Sequence, residues 1–242
     1  VGANLSEPMI EAAIEYPHIF FIGVNQQSEE VYENIATIHF AEDQTGFLAG
    51  ALAAMITESG KVGAICETSG IDTVWGFCEG FRAGALYVDE DVDIYIEYRE
   101  SGSRDKFFND PEWGEQQALQ LIDDGVDILT GFGGNTAHGA LLAASKEEIL
   151  VIGAEEDLYF NLPDVQPVLV TSIVKDPSAI LSYLVLVTSQ GNAPVGPHAG
   201  QITYSPLQNL QKQIPGEIEV RFEKTYDALL EGIIEFNLPE KD

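Results

Sequence analysis

The sequence predicts an α/β protein: parallel β-sheet covered on both faces by helices. Short, continuous apolar runs alternate with stretches of helical apolar spacing along the whole chain. Parallel strands buried on both faces read as such runs, and repeated βα units build parallel sheets. Hydrophobic residues make up 45% of the 242, enough for a packed core and too many for a disordered chain. The count of about nine strands is high for one doubly wound sheet of ordinary size, so two lobes are the natural alternative.

The elements follow in order. FFIGV (20–24) and ATIHF (36–40) are apolar runs between polar stretches, hence strands. EDQTGFLAGALAAMITESG sets Phe47, Ala51 and Met55 on one stripe with Leu48, Leu52 and Ile56 beside it, a helix ended by Gly60. KVGAIC (61–66) is a strand, TVWGFCEGFRAGALYV a helix and VDIYIEYR (92–99) a strand. ESGSRDKFFNDPEWG (100–114) is a long loop by length and composition, a class that often carries function. EWGEQQALQLIDDG is a helix stopped by Gly125; VDILTGF, HGALLAASKEE and ILVIGAE continue as strand, helix and strand. VLVTSIVK is a strand and PSAILSYLVLVTSQG a helix. A Gly/Pro-rich piece, GNAPVGPHAG, precedes a strand, QITYSPL, and RFEKTYDALLEGIIEF is the last helix.

Charge excludes several functions. Forty acidic residues face eleven basic ones, a formal −29. A nucleic-acid binder needs a basic face, and this chain has little to build one from. Direct adsorption to anionic lipid is disfavoured for the same reason. No apolar run reaches the ~18 residues of a membrane span, and no signal peptide is visible. The opening VGANLSEPMIEAAIEYP reads as the interior of a fold, so an upstream segment is expected. Cys66 closes a predicted strand and Cys78 lies in the next helix, so a bridge is sterically open. Two buried thiols are the expectation, and the pair does not decide the compartment.

In open α/β sheets ligands bind beyond the carboxyl ends of the strands. There stand Glu155, at the end of VIGAEE, Lys175, at the end of VLVTSIVK, and Gly133 and Gly134 of GFGGNTAHG. The glycines allow close backbone approach, and the helix start offers free N–H donors; they are equally simple turn residues. A lysine closing an apolar run needs a partner, either a ligand or a neighbouring acid. Glu156 and Asp157 read as solvated or helix-capping. Gly131-Phe132-Gly133 with Glu155 about 20 residues on is a partial dinucleotide fingerprint, with Thr136 at the third glycine. No nucleophile elbow, HExxH or EF-hand loop occurs, and no metal or other cofactor is expected.

Several fragments, in order, resemble one family. VIGAEEDLY followed by VLVTSIVK is similar to a signature of the basic membrane protein family, substrate-binding lipoproteins of ABC transporters related to spirochaete purine nucleoside receptors. EYPHIFFIGV, FAEDQTGFLAGALAA, KVGAI, GFCEGFRAGALYV, GGNTAHGALLAA and LLEGIIEFNLP carry the resemblance along nearly the whole chain. It implies the type I periplasmic-binding fold: two α/β lobes, a three-part hinge and a ligand in the cleft. Lobe 1 is expected from residues 1–38 and 174–197, lacking its opening strand; lobe 2 from 39–173 and 198–242.

The resemblance also implies roles. Glu155 falls where the family has an aspartate bonding the ribose hydroxyls, and Lys175 where a lysine contacts the ligand. The family's stacking aromatic falls at Thr130, with Phe132 on the same side of the strand as a substitute. Ala137 and His138 replace a Gly and an Asn of the family's turn. Glu42, Gln44 and Trp75 are further pocket or rim residues. The expectation is therefore a monomeric, extracytoplasmic binding protein, not an enzyme. It would be held to the membrane by a lipid anchor outside these residues, delivering a nucleoside-like small molecule to an ABC permease by hinge closure. A ligand-sensing regulator on the same fold is the alternative, and a nucleotide-dependent enzyme stands third.

Overall fold

The computed structural model describes residues 5–26, 30–207 and 216–241; the chain start at 1–4, read from the sequence as fold interior, lies outside them. The chain divides into two compact units, 1–41 with 175–203 and 42–174 with 204–242. It therefore passes from one unit to the other three times.

The first unit carries α1 (Ser6–Glu15), β1 (Phe21–Val24), β2 (Ile35–His39), α7 (Ser178–Ser189) and β8 (Gly196–Ala199). Its strands form a parallel sheet in the order β1-β2-β8. Ala36, Ile38, Phe40 and Leu184 make its core, with Phe20, Ile22, Val24, Ile180 and Leu181 packed around them. Along α7 only Leu184 is fully buried, while Tyr183, Val185 and Leu186 are exposed.

The second unit carries α2 (Glu42–Ile56), β3 (Lys61–Cys66), α3 (Asp72–Val88), β4 (Asp93–Tyr98), α4 (Pro111–Asp123) and β5 (Ile128–Phe132). It continues with α5 (Asn135–Lys146), β6 (Leu150–Glu155), the single-turn α6 (Leu158–Asn161) and most of β7 (Leu169–Asp176). Its last helix is α8 (Gly216–Leu230). Strand β9 (Gln201–Tyr204) completes a six-stranded sheet in the order β4-β3-β5-β6-β7-β9. The pairs joining β4 through β7 are all parallel. Parallel strands bring their carboxyl ends to one edge, and this is what gathers Cys66, Phe132, Glu155 and Val174 there.

Helices α2 and α3 pack backbone to backbone. A Cβ at Gly46, Gly50, Gly80 or Gly84 would collide with the carbonyl of Phe77, Phe81, Asp43 or Phe47 respectively. The spacing of four residues puts each glycine pair on one helix face.

Four readings of the sequence change. Cys66 and Cys78 are not thiols: they form a disulfide from the end of β3 to α3, both residues fully buried. The Gly/Pro-rich piece holds β8; Pro197, with no N–H to offer, is tolerated because β8 is the edge strand beside β2. Helix α8 stops at Leu230, where Gly232 takes φ 70° and the Ile233 N–H bonds back to the Ala228 carbonyl. The long loop is shorter than expected, because Arg104–Lys106 forms a 3-10 turn and α4 begins at Pro111, a favoured first helical residue. Helix α1 was not anticipated.

A strand-end site on the larger unit

Glu155 is the last residue of β6 and takes φ 71°, a left-handed conformation that an L residue with a full side chain adopts at a cost of about 1–2 kcal/mol. It pairs in register with Val174 of β7, and Lys175 is the next residue along that strand. Glu155 lines a recess of about 60 Å³ together with Gly131, Gly133, Gly134, Ala137 and His138. His138 Nε2 lies 3.6 Å from Glu156 Oε1 at the same recess. Glu156 also accepts from Asn161 Nδ2 at 2.7 Å. Asp157 caps α6, accepting from the Tyr159 N–H at 3.1 Å.

Gly133 and Gly134 take φ 143° and 58° at the turn from β5 into α5. A Cβ on Gly133 would press on Glu67, and one on Gly134 on the Phe108 carbonyl. Both glycines are thus required by close approach as well as by backbone conformation.

The aromatic expectations shift. The Thr130 side chain is buried, and its hydroxyl donates to the Ile152 carbonyl at 2.8 Å. Phe132 is 3% exposed and stacks on Phe77 at 4.5 Å between centroids, so its ring belongs to the core. Phe108, in contrast, is 36% exposed beside Gly134. It takes φ 58°, with its N–H donated to Glu67 Oε2 at 3.1 Å and its carbonyl accepting from Asn135. Nothing in the one-letter string separates Phe108 from a surface loop residue.

The remaining expected residues spread over both units. Glu42 is buried and Gln44 half-buried in the first turn of α2. Trp75 is half-buried in α3, with Lys241 Nζ 5.7 Å from its ring centroid and 2.5 Å from Asp72. In the smaller unit, Lys175 Nζ lies 5.9 Å from the Phe40 ring centroid.

Beneath the Gly133 turn runs a buried ion network that the sequence did not announce. Arg99 is 1% exposed and bonds Glu67 and Asp110, and Lys106 bonds Asp110 at 2.9 Å. Lys106 and then Arg99 hold the Asp110 carboxyl below its ordinary range, against the opposing effect of burial. The same contact raises Lys106. Among the described residues no group of three His, Cys, Asp or Glu is arranged to hold a metal ion. No described helix is long and apolar enough to cross a membrane.

Comparison with known proteins accords with this architecture. Residues 1–205 match the family model "ABC transporter substrate-binding protein PnrA-like". The chain is 31% identical over 195 residues to basic membrane protein B of Borrelia garinii subsp. bavariensis, covering 78% of this chain and 53% of that protein. It is 29% identical over 214 residues to basic membrane protein A of Borreliella afzelii, covering 86% and 61%. The chain thus spans between half and two thirds of these curated relatives. An ABC transporter solute-binding protein from Aeropyrum pernix K1 superposes with a TM-score of 0.77 at 20% identity, over 98% of this chain and 75% of that one. A transcriptional activator of the comK gene from Bacillus halodurans gives 0.76 at 19%, over 99% and 78%, and at such identities the likeness speaks for fold alone. With its family model matched over most of its length and its two-unit α/β fold shared with solute-binding proteins, the chain belongs to the PnrA-like ABC transporter substrate-binding protein family.

Proposed function

We propose that this protein binds a purine nucleoside outside the cytoplasm and presents it to an ABC permease. The observation that carries the reading is Glu155: a carboxylate at a strand end, in a left-handed conformation, beside a recess walled by the Gly133–Gly134 turn. Residues held in sparsely populated backbone conformations cluster at ligand sites. A carboxylate accepts from two vicinal hydroxyls at once, the pattern a ribose offers. Lys175, Glu42, Gln44 and Trp75 stay in the proposed ligand set. Gly133 and Gly134 bring backbone close to the ligand, and Phe132 backs the turn from the core. The exposed aromatic face falls to Phe108. The proposed mechanism is hinge closure on the ligand, with no bond made or broken. The disulfide fits an oxidising compartment, and membrane attachment is assigned to a lipid anchor outside residues 1–242.

A thermal-shift screen with inosine, adenosine, guanosine, free bases and sugars tests this. A nucleoside at 100 times its Kd stabilises by about 2.7 kcal/mol, and Glu155→Ala removes that shift. A shift with sugars and none with nucleosides would sink the nucleoside reading.

A further inference from the structure

The buried ion network has no place in the ligand set, yet it is built around the turn that faces the ligand. Glu67, fully buried just after β3, uses both carboxylate oxygens. Oε1 accepts from Arg99 Nη1 at 3.1 Å. Oε2 accepts from the Phe108 N–H at 3.1 Å and from Thr136 Oγ1 at 2.7 Å. The Glu67 N–H donates to the Phe132 carbonyl at 2.9 Å. Arg99 Nε bonds Asp110 Oδ2 at 3.1 Å, and the Asp110 N–H donates to Thr136 Oγ1 at 3.1 Å. Asn135 closes the circuit: its N–H donates to the Phe108 carbonyl at 2.9 Å and its Nδ2 to Asn109 Oδ1 at 2.8 Å. Segment 104–110 is thereby clipped onto the Gly133–Gly134 turn and the start of α5. The two glycines fit between Glu67 and Phe108 with no room for a Cβ.

Two of the eleven basic residues of a chain at −29 are committed here, Arg99 and Lys106. Burying an ion pair is a poor way to gain stability, since an apolar filling of the same volume does as well or better. Two carboxylates bonded to one planar guanidinium do fix geometry. We propose that Glu67, locked by Arg99, is a positioning residue: it sets the Gly133–Gly134 turn and the Phe108 ring in their ligand-facing geometry without itself touching the ligand. That role rests on reading the turn as ligand-facing; the latch itself does not.

The test follows amide hydrogen exchange, residue by residue, in the ligand-free wild type, Glu67→Gln and Arg99→Lys, with an inosine titration of each. The positioning role predicts at least tenfold faster exchange at 106–109 and 133–136 in Glu67→Gln, with β5 and β6 unchanged. It also predicts an inosine Kd at least tenfold weaker. Exchange that is unchanged at 133–136 overturns the latch. So does exchange that quickens equally in β5 and β6, the mark of a general staple. An inosine Kd within twofold of the wild type overturns the positioning role. If Glu67→Gln does not fold, Arg99→Lys decides by the same pattern, since lysine keeps the charge but lacks the rigid planar fork that spans the two carboxylates. A wild type that ignores every nucleoside refutes the ligand reading alone, and the exchange pattern still judges the latch.

Discussion

Glu155 combines two demands that pull apart. Its carboxylate is the group proposed to meet the ligand, and its φ of 71° suits glycine better than glutamate. Stability and binding are therefore expected to separate at this residue. On the proposed reading Glu155→Gly and Glu155→Ala both lose nucleoside affinity, but the glycine variant should be more stable than the alanine variant by about 1 kcal/mol. Denaturant midpoints of the two variants check this. Equal midpoints would mean that the left-handed conformation carries no strain. Phe108 poses the same conflict in milder form, because its φ of 58° is held by hydrogen bonds from both sides of its backbone.

At the scale of elements, the carboxyl end of β3 is tied at several points. The disulfide joins it to α3, and Glu67, one residue on, joins it to β4, the 104–110 segment and α5. Helix α3 in turn packs on α2 through the four glycines, whose missing Cβ atoms let the two backbones meet. The bridge closes a short loop, with a sequence separation of 12. A loop of that length restricts the unfolded chain by about 3 kcal/mol. Replacing both cysteines by alanine is expected to lower unfolding stability by about that amount, read from the denaturant midpoint. A loss below about 1 kcal/mol would show that the close α2–α3 packing suffices without the bridge.

Across the whole molecule, charge sets the response to solvent. A formal −29 on 242 residues repels itself in the compact state. Salt screens exposed charges over ~10 Å at 0.1 M. The melting temperature is therefore expected to rise between low salt and 0.5 M sodium chloride, followed by circular dichroism at pH 7. A fall would mean that favourable ion pairs outweigh the repulsion. Helix α7 carries no charged residue and leaves Tyr183, Val185 and Leu186 exposed on this acidic surface. The same acidity is compatible with the proposed nucleoside, a neutral molecule that a negative surface does not repel.

The alternation of apolar runs and helical stripes determined the α/β class and the parallel sheet, because strands buried on both faces read as unbroken apolar runs and helices with one buried face as stripes of helical period. Strand ends at Glu155 and Lys175 were legible for the same reason: a charge that closes an apolar run marks where the chain leaves the core. The tertiary structure alone decided what lies far apart in sequence. It joined Cys66 to Cys78, sent Phe132 into the core against Phe77, and left Phe108 partly exposed beside Gly134. It made a strand of a Gly/Pro-rich piece through its pairing with β2. It also assembled Glu67, Arg99, Asp110 and Thr136 from four separate segments into one buried circuit. A charged residue in a string carries no sign of whether it meets water or a partner, and only the packed fold supplies that.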